Sequence, residues 1–197
     1  MSEISGETWR VFCAIELPSL VREKISAHIA HLHEAAPDSP ASWSRAENVH
    51  LTLKFVGEIP AARVNDLSHA CANAVAESSP FEIEIGDPGA FPRHGTPRVL
   101  WIGVHDAAGK LAALQAKLDD ECLRLDFEKE ARPFNPHLTI ARVHKPQGAR
   151  ALATAHKETR FEPTKIAASE LLVIRSELSS AGSKYTVVSR QTLCDKL

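Results

Sequence analysis

His50-Leu51-Thr52-Leu53 and His137-Leu138-Thr139-Ile140 are two copies of one pattern in a single chain. Each reads as a β-strand in which successive side chains point to opposite faces. Histidine and threonine therefore share one face, and two aliphatic residues anchor the other. From this composition two such matches arise by chance on the order of 0.0001 times, so the repeat is a signal where one His-x-Thr would be none.

Working outward, the first copy lies in a strand from about Asn48 to Val56 that Gly57 ends, and the second in a strand from His137 to Val143. Trp9 to Leu17 is a further, largely buried strand stopped by Pro18. Val21, Ile25, Ile29 and Leu32 fall at helical spacing between Pro18 and Pro37. A second helix over about 61–78 carries Val64, Leu67, Cys71 and Val75 on one stripe, and a third over about 108–125 carries Leu111, Leu114, Leu118, Cys122 and Leu125. Phe81, Ile83 and Ile85 alternate with glutamates, as in a strand with one wet face, and Arg98 to Val104 is a more buried strand. Gly89 to Pro97 between them reads as a loop carrying Phe91, Arg93 and His94. A short helix near 148–157 precedes two strands, about Lys165 to Leu178 and Ser183 to Thr192. Ser179 to Gly182 joins these as a hairpin that closes one sheet. The two halves echo each other in element order, which makes residues 1–197 one α+β domain of two similar lobes.

Composition narrows the function. A 44% hydrophobic and 24% charged chain is ordinary for a globular enzyme, and a net charge of −2 excludes a protein that coats nucleic acid through many phosphate contacts. It leaves room for a site that grips one terminal phosphate. No apolar run is long enough to span a membrane, and the polar start from Met1 to Thr8 shows no secretory signal, so a cytoplasmic protein is expected. Cys13, Cys71, Cys122 and Cys194 have no zinc-like spacing and are read as incidental thiols; His28, His31 and His33 do not form a zinc site, and no cofactor or metal is expected. His69, His105, His144 and His156 are read as surface or satisfied structural residues.

Two motif strands related by a local two-fold axis bring His50 and His137 to opposite sides of one groove. Displacement at phosphorus needs an attacking and a leaving oxygen roughly in line, so a base on one side and an acid on the other match that reaction. An imidazole with an ordinary pKa near ~6.5 suits both jobs, and threonine hydroxyls suit the non-bridging oxygens.

The chain resembles the two-histidine phosphoesterases, and among them the RNA 2′,3′-cyclic phosphodiesterases, also called 2′-5′ RNA ligases. RVFCAIELP, ENVHLTLKFVGEIP, PRVLWIGV and RPFNPHLTIARV all match that family in order, across nearly the whole chain. The resemblance implies a bilobal α+β fold with two pseudo-symmetric antiparallel sheets facing a central groove and helices outside. It implies metal-independent opening of a terminal 2′,3′-cyclic phosphate to a 2′-phosphomonoester, with reversible 2′-5′ RNA ligation as an extension. It makes His50 the proton donor to the 3′ oxygen and His137 the proton acceptor from water. The expected partners are RNA ends or small nucleotides bearing a 2′,3′-cyclic phosphate, bound by a monomer.

Beyond the histidines the two copies diverge, Lys54-Phe55 standing where the second has Ala141-Arg142. Arg142 suits a phosphate clamp and matches the family pattern, but strict alternation turns it away from His137, so it needs a bulge to reach the groove. Lys54 shares the face of His50 and is read as a solvated lysine. Phe55 is able to stack a base, although alternation places it with the buried Leu51 and Leu53. Phe91, Arg93 and His94 form a rim for an RNA end, and Arg93, Arg98, Lys145 and Arg150 a basic surface for a polynucleotide. The alternatives are a phosphodiesterase for a small cyclic nucleotide such as ADP-ribose cyclic phosphate, and a non-catalytic module that binds a nucleotide or RNA end.

Overall fold

The fold is that of a computed structural model, which describes residues 6–39, 41–179 and 182–194. Ser180 and Ala181 of the expected hairpin and Met1 to Ser5 of the N-terminus lie outside the described residues.

The first half contributes β1 (Thr8–Ile15), α1 (Ser19–Ala35), β2 (Ala41–Trp43), β3 (Leu51–Pro60), α2 (Val64–Val75) and β4 (Phe81–Phe91). The second contributes β5 (Val99–His105), α3 (Lys110–Arg124), β6 (His137–Val143), α4 (Ala149–Glu158), β7 (Thr164–Ala168), β8 (Glu170–Ser179) and β9 (Gly182–Thr192). Each helix forms where the sequence puts an apolar stripe at helical spacing. α1 buries Val21, Ile25, Ile29 and Leu32, and α3 buries Leu111, Leu114, Leu118 and Cys122.

These strands make two antiparallel sheets, β3-β1-β8-β9 and β2-β6-β5-β4-β7. The halves are interlocked. β1 pairs with its own motif strand β3 on one side and with β8 of the other half on the second; β5 pairs with its own motif strand β6 and with β4 of the first half. The helices cross in the same way, α2 packing beside α3 and α1 beside α4. One continuous core fills the space between helices and sheets, including Val11, Cys13 and Ile15 from β1 and Leu100 and Ile102 from β5. Fully burying each such side chain stabilises the fold by about 1.5–3 kcal/mol. The other face of β1 turns Phe12 and Ala14 toward Leu172, Ile174 and Tyr185, a small apolar layer backing the groove.

Three strand expectations need correction. The first motif strand does not end at Gly57 but runs through it to Pro60, Gly57 pairing with Val11. The run from Lys165 to Leu178 is two strands, because the chain leaves one sheet at Ser169 and enters the other: β7 edges the second sheet beside β4, while β8 lies inside the first. Burial alternates through β7 and then becomes continuous from Leu171 to Ile174, as expected when a one-faced edge strand gives way to a central one. Gly89 to Phe91 is strand and not loop. Gly89 pairs with Trp101, and a Cβ there would stand 2.2 Å from the indole Cη2, so glycine lets the strand run beneath the ring.

Candidate active site

His50 stands just before β3, after a short 3-10 turn at Ala46–Asn48, and His137 is the first residue of β6. Leu51 and Leu138 are fully buried; His50, Thr52, His137 and Thr139 are half-buried and line one groove of about 730 Å³. The shared face expected of each motif is therefore formed.

Each motif runs into a β-bulge, at the same place in both copies. On β3 the partners run from Thr52 opposite Ala14 to Lys54 opposite Cys13, leaving Leu53 over. On β6 they run from Thr139 opposite Trp101 to Ala141 opposite Leu100, leaving Ile140 over. One extra residue inverts the alternation, so Leu53-Lys54 and Ile140-Ala141 are each two buried residues in succession. The next residue then returns to the groove: Phe55 in one strand, Arg142 in the other, both exposed and both lining it. Arg142 thus has the bulge it required. Phe55, which alternation assigned to the core, is 53% exposed beside the motif.

Lys54 is the matching correction, since it is buried and turned away from the groove. Its Nζ donates to the buried Asp119 carboxylate on α3 and to the Glu128 carbonyl at 2.6 Å. The first motif strand is thereby tied to α3 and to the segment that leads into the second motif. Such a pair gains little net stability over an apolar one, but loss of either partner strands a charge indoors.

The histidine rings are held differently. The His50 ring stacks on Phe12 at 4.5 Å between centroids and 22° between planes, with the edge of Tyr185 at 5.1 Å. Burial pushes its pKa down to about 4; the hydrogen bond to the Asn48 carbonyl opposes that, and the Arg22 charge adds to it. His137 donates from Nδ1 to the Asn135 carbonyl at 2.7 Å, which leaves Nε2 for the groove, and Phe91 meets it edge-on at 5.1 Å. Both carbonyls belong to an asparagine two positions upstream. The repeat is Asn-x-His-Leu-Thr, a longer signal than the tetrapeptide, and in the second copy the asparagine carbonyl orients the ring.

Phe91 lines the groove. Arg93, His94, Arg98, Lys145 and Arg150 are exposed but do not line the groove. The cations that do, besides Arg142, are Arg10 and Arg132, the latter paired with Glu130. Tyr185 lines the groove as well, and its only sequence mark is an aromatic residue in the final strand. His156 donates from Nε2 to the Trp101 carbonyl at 3.0 Å, so its Nδ1 accepts from His28 Nε2 at 2.9 Å, and both buried histidines are satisfied structural residues. Cys13, Cys71 and Cys122 are buried. Among the described residues no three histidine, cysteine, aspartate or glutamate side chains converge in a way that would hold a metal ion.

The 2′-5′ RNA ligase superfamily model matches residues 21–179. A Methanothermobacter thermautotrophicus protein named RNA 2′,3′-cyclic phosphodiesterase is 33% identical over 178 residues, covering 90% of this chain and 95% of its own length. A Thermotoga maritima protein of the same name is 29% identical over 180 residues, covering 91% and 92%. Among solved structures, E. coli LigT complexed with 3′-AMP superposes with a TM-score of 0.74 at 26% identity, over 96% of this chain and all of that one. A Thermus thermophilus protein gives 0.75 at 27% identity, over 93% and 97%. With the doubled motif, the paired bulges and the interlocked sheets, these matches show that the chain belongs to the 2′-5′ RNA ligase superfamily.

Proposed function

We propose that the protein is an RNA 2′,3′-cyclic phosphodiesterase, which opens the cyclic phosphate at an RNA end to a 2′-phosphomonoester. The observation that carries this reading is the pair of Asn-x-His-Leu-Thr segments, each ending in a bulge, that present two imidazoles and two hydroxyls to one groove. In the reaction a water oxygen attacks phosphorus while its proton passes to His137 Nε2. The P–O3′ bond breaks as His50 gives a proton to the 3′ oxygen. Thr52, Thr139 and the Arg142 guanidinium hold the non-bridging oxygens, and Phe55 and Phe91 flank the nucleoside. A ribose 5′-hydroxyl in place of water, giving its proton to His137 while His50 protonates the departing 3′ oxygen in the same way, gives the 2′-5′ ligation.

The depressed His50 pKa bears on its role. The ring is neutral in the free groove at neutral pH, and a phosphate anion in contact with it favours the imidazolium. The donor is thus charged by the substrate it serves. That the relatives are named for RNA favours RNA ends over a small cyclic nucleotide, and two intact motifs favour turnover over binding alone. No helix among the described residues is long and apolar enough to cross a membrane, and the groove is complete within one chain, which suits a monomer working in the cytoplasm.

The test is incubation with an RNA oligonucleotide ending in a 2′,3′-cyclic phosphate, with a chelator present, and identification of the product end. A 2′-phosphate formed at an unchanged rate is expected. A 3′-phosphate, an unopened ring, or activity that vanishes with chelation overturns the reading.

A further inference from the structure

Two cations in the groove, Arg10 and Arg132, take no part in that chemistry, and Arg132 is already paired with Glu130. Arg10 lies two residues before Phe12 on β1, on the same face, and Phe12 is the ring on which His50 stacks. Two residues of strand place its Cα about 7 Å beyond that of Phe12, on the side away from His50. Across the strand Phe12 is paired with Phe55, and the two rings meet at 5.7 Å. The order along this wall is therefore His50, the Phe12 and Phe55 pair, then Arg10.

Arg10 is exposed and forms no ion pair among the described residues. Its neighbour Arg175 is different, being paired with Glu7 and Glu177 and stacked over Trp9 at 4.2 Å. Arg10 also borders a recess of about 260 Å³ on its other side, but Glu58 and Glu177 line that recess and repel an anion. A phosphate is therefore met on the groove side. A free guanidinium one nucleoside away from the reacting phosphorus, beyond an exposed aromatic plane, has the layout of a second phosphate subsite.

We infer that Arg10 binds the 5′ phosphate of the terminal nucleotide, which is the internucleotide phosphate joining it to the rest of the RNA. This rests on the reading of the groove as a site for RNA ends and sharpens it: the protein reads at least a dinucleotide. A mononucleoside 2′,3′-cyclic phosphate fills the reacting end and leaves Arg10 empty.

The experiment compares kcat/KM for three probes: a nucleoside 2′,3′-cyclic phosphate, a dinucleotide with the same cyclic end, and that dinucleotide with a neutral methylphosphonate link. The wild-type protein is expected to favour the charged dinucleotide roughly tenfold over the other two, as a charge-assisted contact at an exposed site allows. Arg10→Gln is expected to remove that preference, and Arg10→Lys to keep part of it, with the advantage shrinking as salt rises. Equal turnover of all three probes by the wild type overturns the inference while leaving the cyclic phosphodiesterase reading intact. So does a preference that survives in Arg10→Gln or in the methylphosphonate, which would assign it to stacking on Phe55. Failure of the wild type to open any of the three overturns both.

Discussion

His50 and His137 occupy the same position in two copies of one motif, yet their surroundings are opposites. His50 is sandwiched by Phe12 and Tyr185 and held neutral by burial, whereas His137 meets only ring edges, from Phe91 and, at 6.3 Å, Trp101. The divergence continues past the bulges, with an aromatic plane at Phe55 in one lobe and a guanidinium at Arg142 in the other. The two motif copies thus share a backbone geometry and differ in the side chains set around it. The repeated strand and bulge present two rings to one groove, and the residues around them differ, aromatic rings packing His50 and a guanidinium standing beyond His137.

The largest effect separates the two lobes at the chemistry. His50→Ala and His137→Ala are each expected to lower kcat by about 10²- to 10⁴-fold with the fold retained, because each removes one proton transfer. The asymmetry adds a sharper test. A substrate with a much better leaving group at the 3′ position needs no acid, so it is expected to rescue His50→Ala and not His137→Ala. Rescue in the opposite sense would exchange the two roles, and near-full turnover by either variant would remove that histidine from the mechanism.

Stability separates the lobes next. Lys54→Met leaves the Asp119 carboxylate buried without its cation, while the equivalent Ala141 is fully buried and needs no partner. The expected loss is about 3–5 kcal/mol in chemical denaturation, and Lys54→Met with Asp119→Leu is expected to recover most of it. If the single variant loses less than about 1 kcal/mol, the pair does not tie β3 to α3.

The residues after the bulges give a smaller, differently shaped effect. Arg142→Gln is expected to lower kcat/KM about ten- to a hundredfold through both constants, since in the proposed mechanism the guanidinium holds oxygens of the reacting phosphorus. Phe55→Ala is expected to raise KM several-fold with kcat nearly unchanged, as for a plane that holds the base and takes no part in bond making. A kcat loss confined to Phe55→Ala would reverse the assignment of the two walls.

The motif strands and all four helices are legible in the sequence because they rest on periodicity, which survives without knowledge of partners: His-x-Thr alternates, and the stripe from Val21 to Leu32 repeats at helical spacing. The bulges are not legible. Leu53 and Ile140 look like any aliphatic strand residue, and the register slip appears only against β1 and β5. From that one omission came both misreadings, a solvated Lys54 and a buried Phe55. The exchange of β4 and β8 between halves is hidden for a related reason. Ser169 carries no glycine or proline punctuation, and which sheet a strand joins is decided by contacts distant in sequence. Tyr185 reaches the groove through that same exchange, on β9 beside β8.

The smallest effect probes the sandwich itself. Because burial lowers the His50 pKa to about 4, the unfolded chain takes up a proton there below about 6.5 while the folded protein does so only near 4. The unfolded state therefore binds more protons across that window. The contribution of a neutral His50 to stability is complete above about pH 6.5 and is lost as the pH falls toward 4. In an NMR titration of the free protein the His50 ring is expected to titrate near 4, and to move upward when a nucleoside 2′-phosphate fills the groove and places an anion beside it. Tyr185→Ala admits water to one edge of the ring and is expected to shift the free value part of the way back toward 6.5, with a smaller change on ligand binding. An ordinary titration near 6.5 in the unliganded wild type would contradict the desolvated ring. A value that stays near 4 with the 2′-phosphate bound would leave His50 without a proton to give, and the acid would have to be sought on the other wall of the groove.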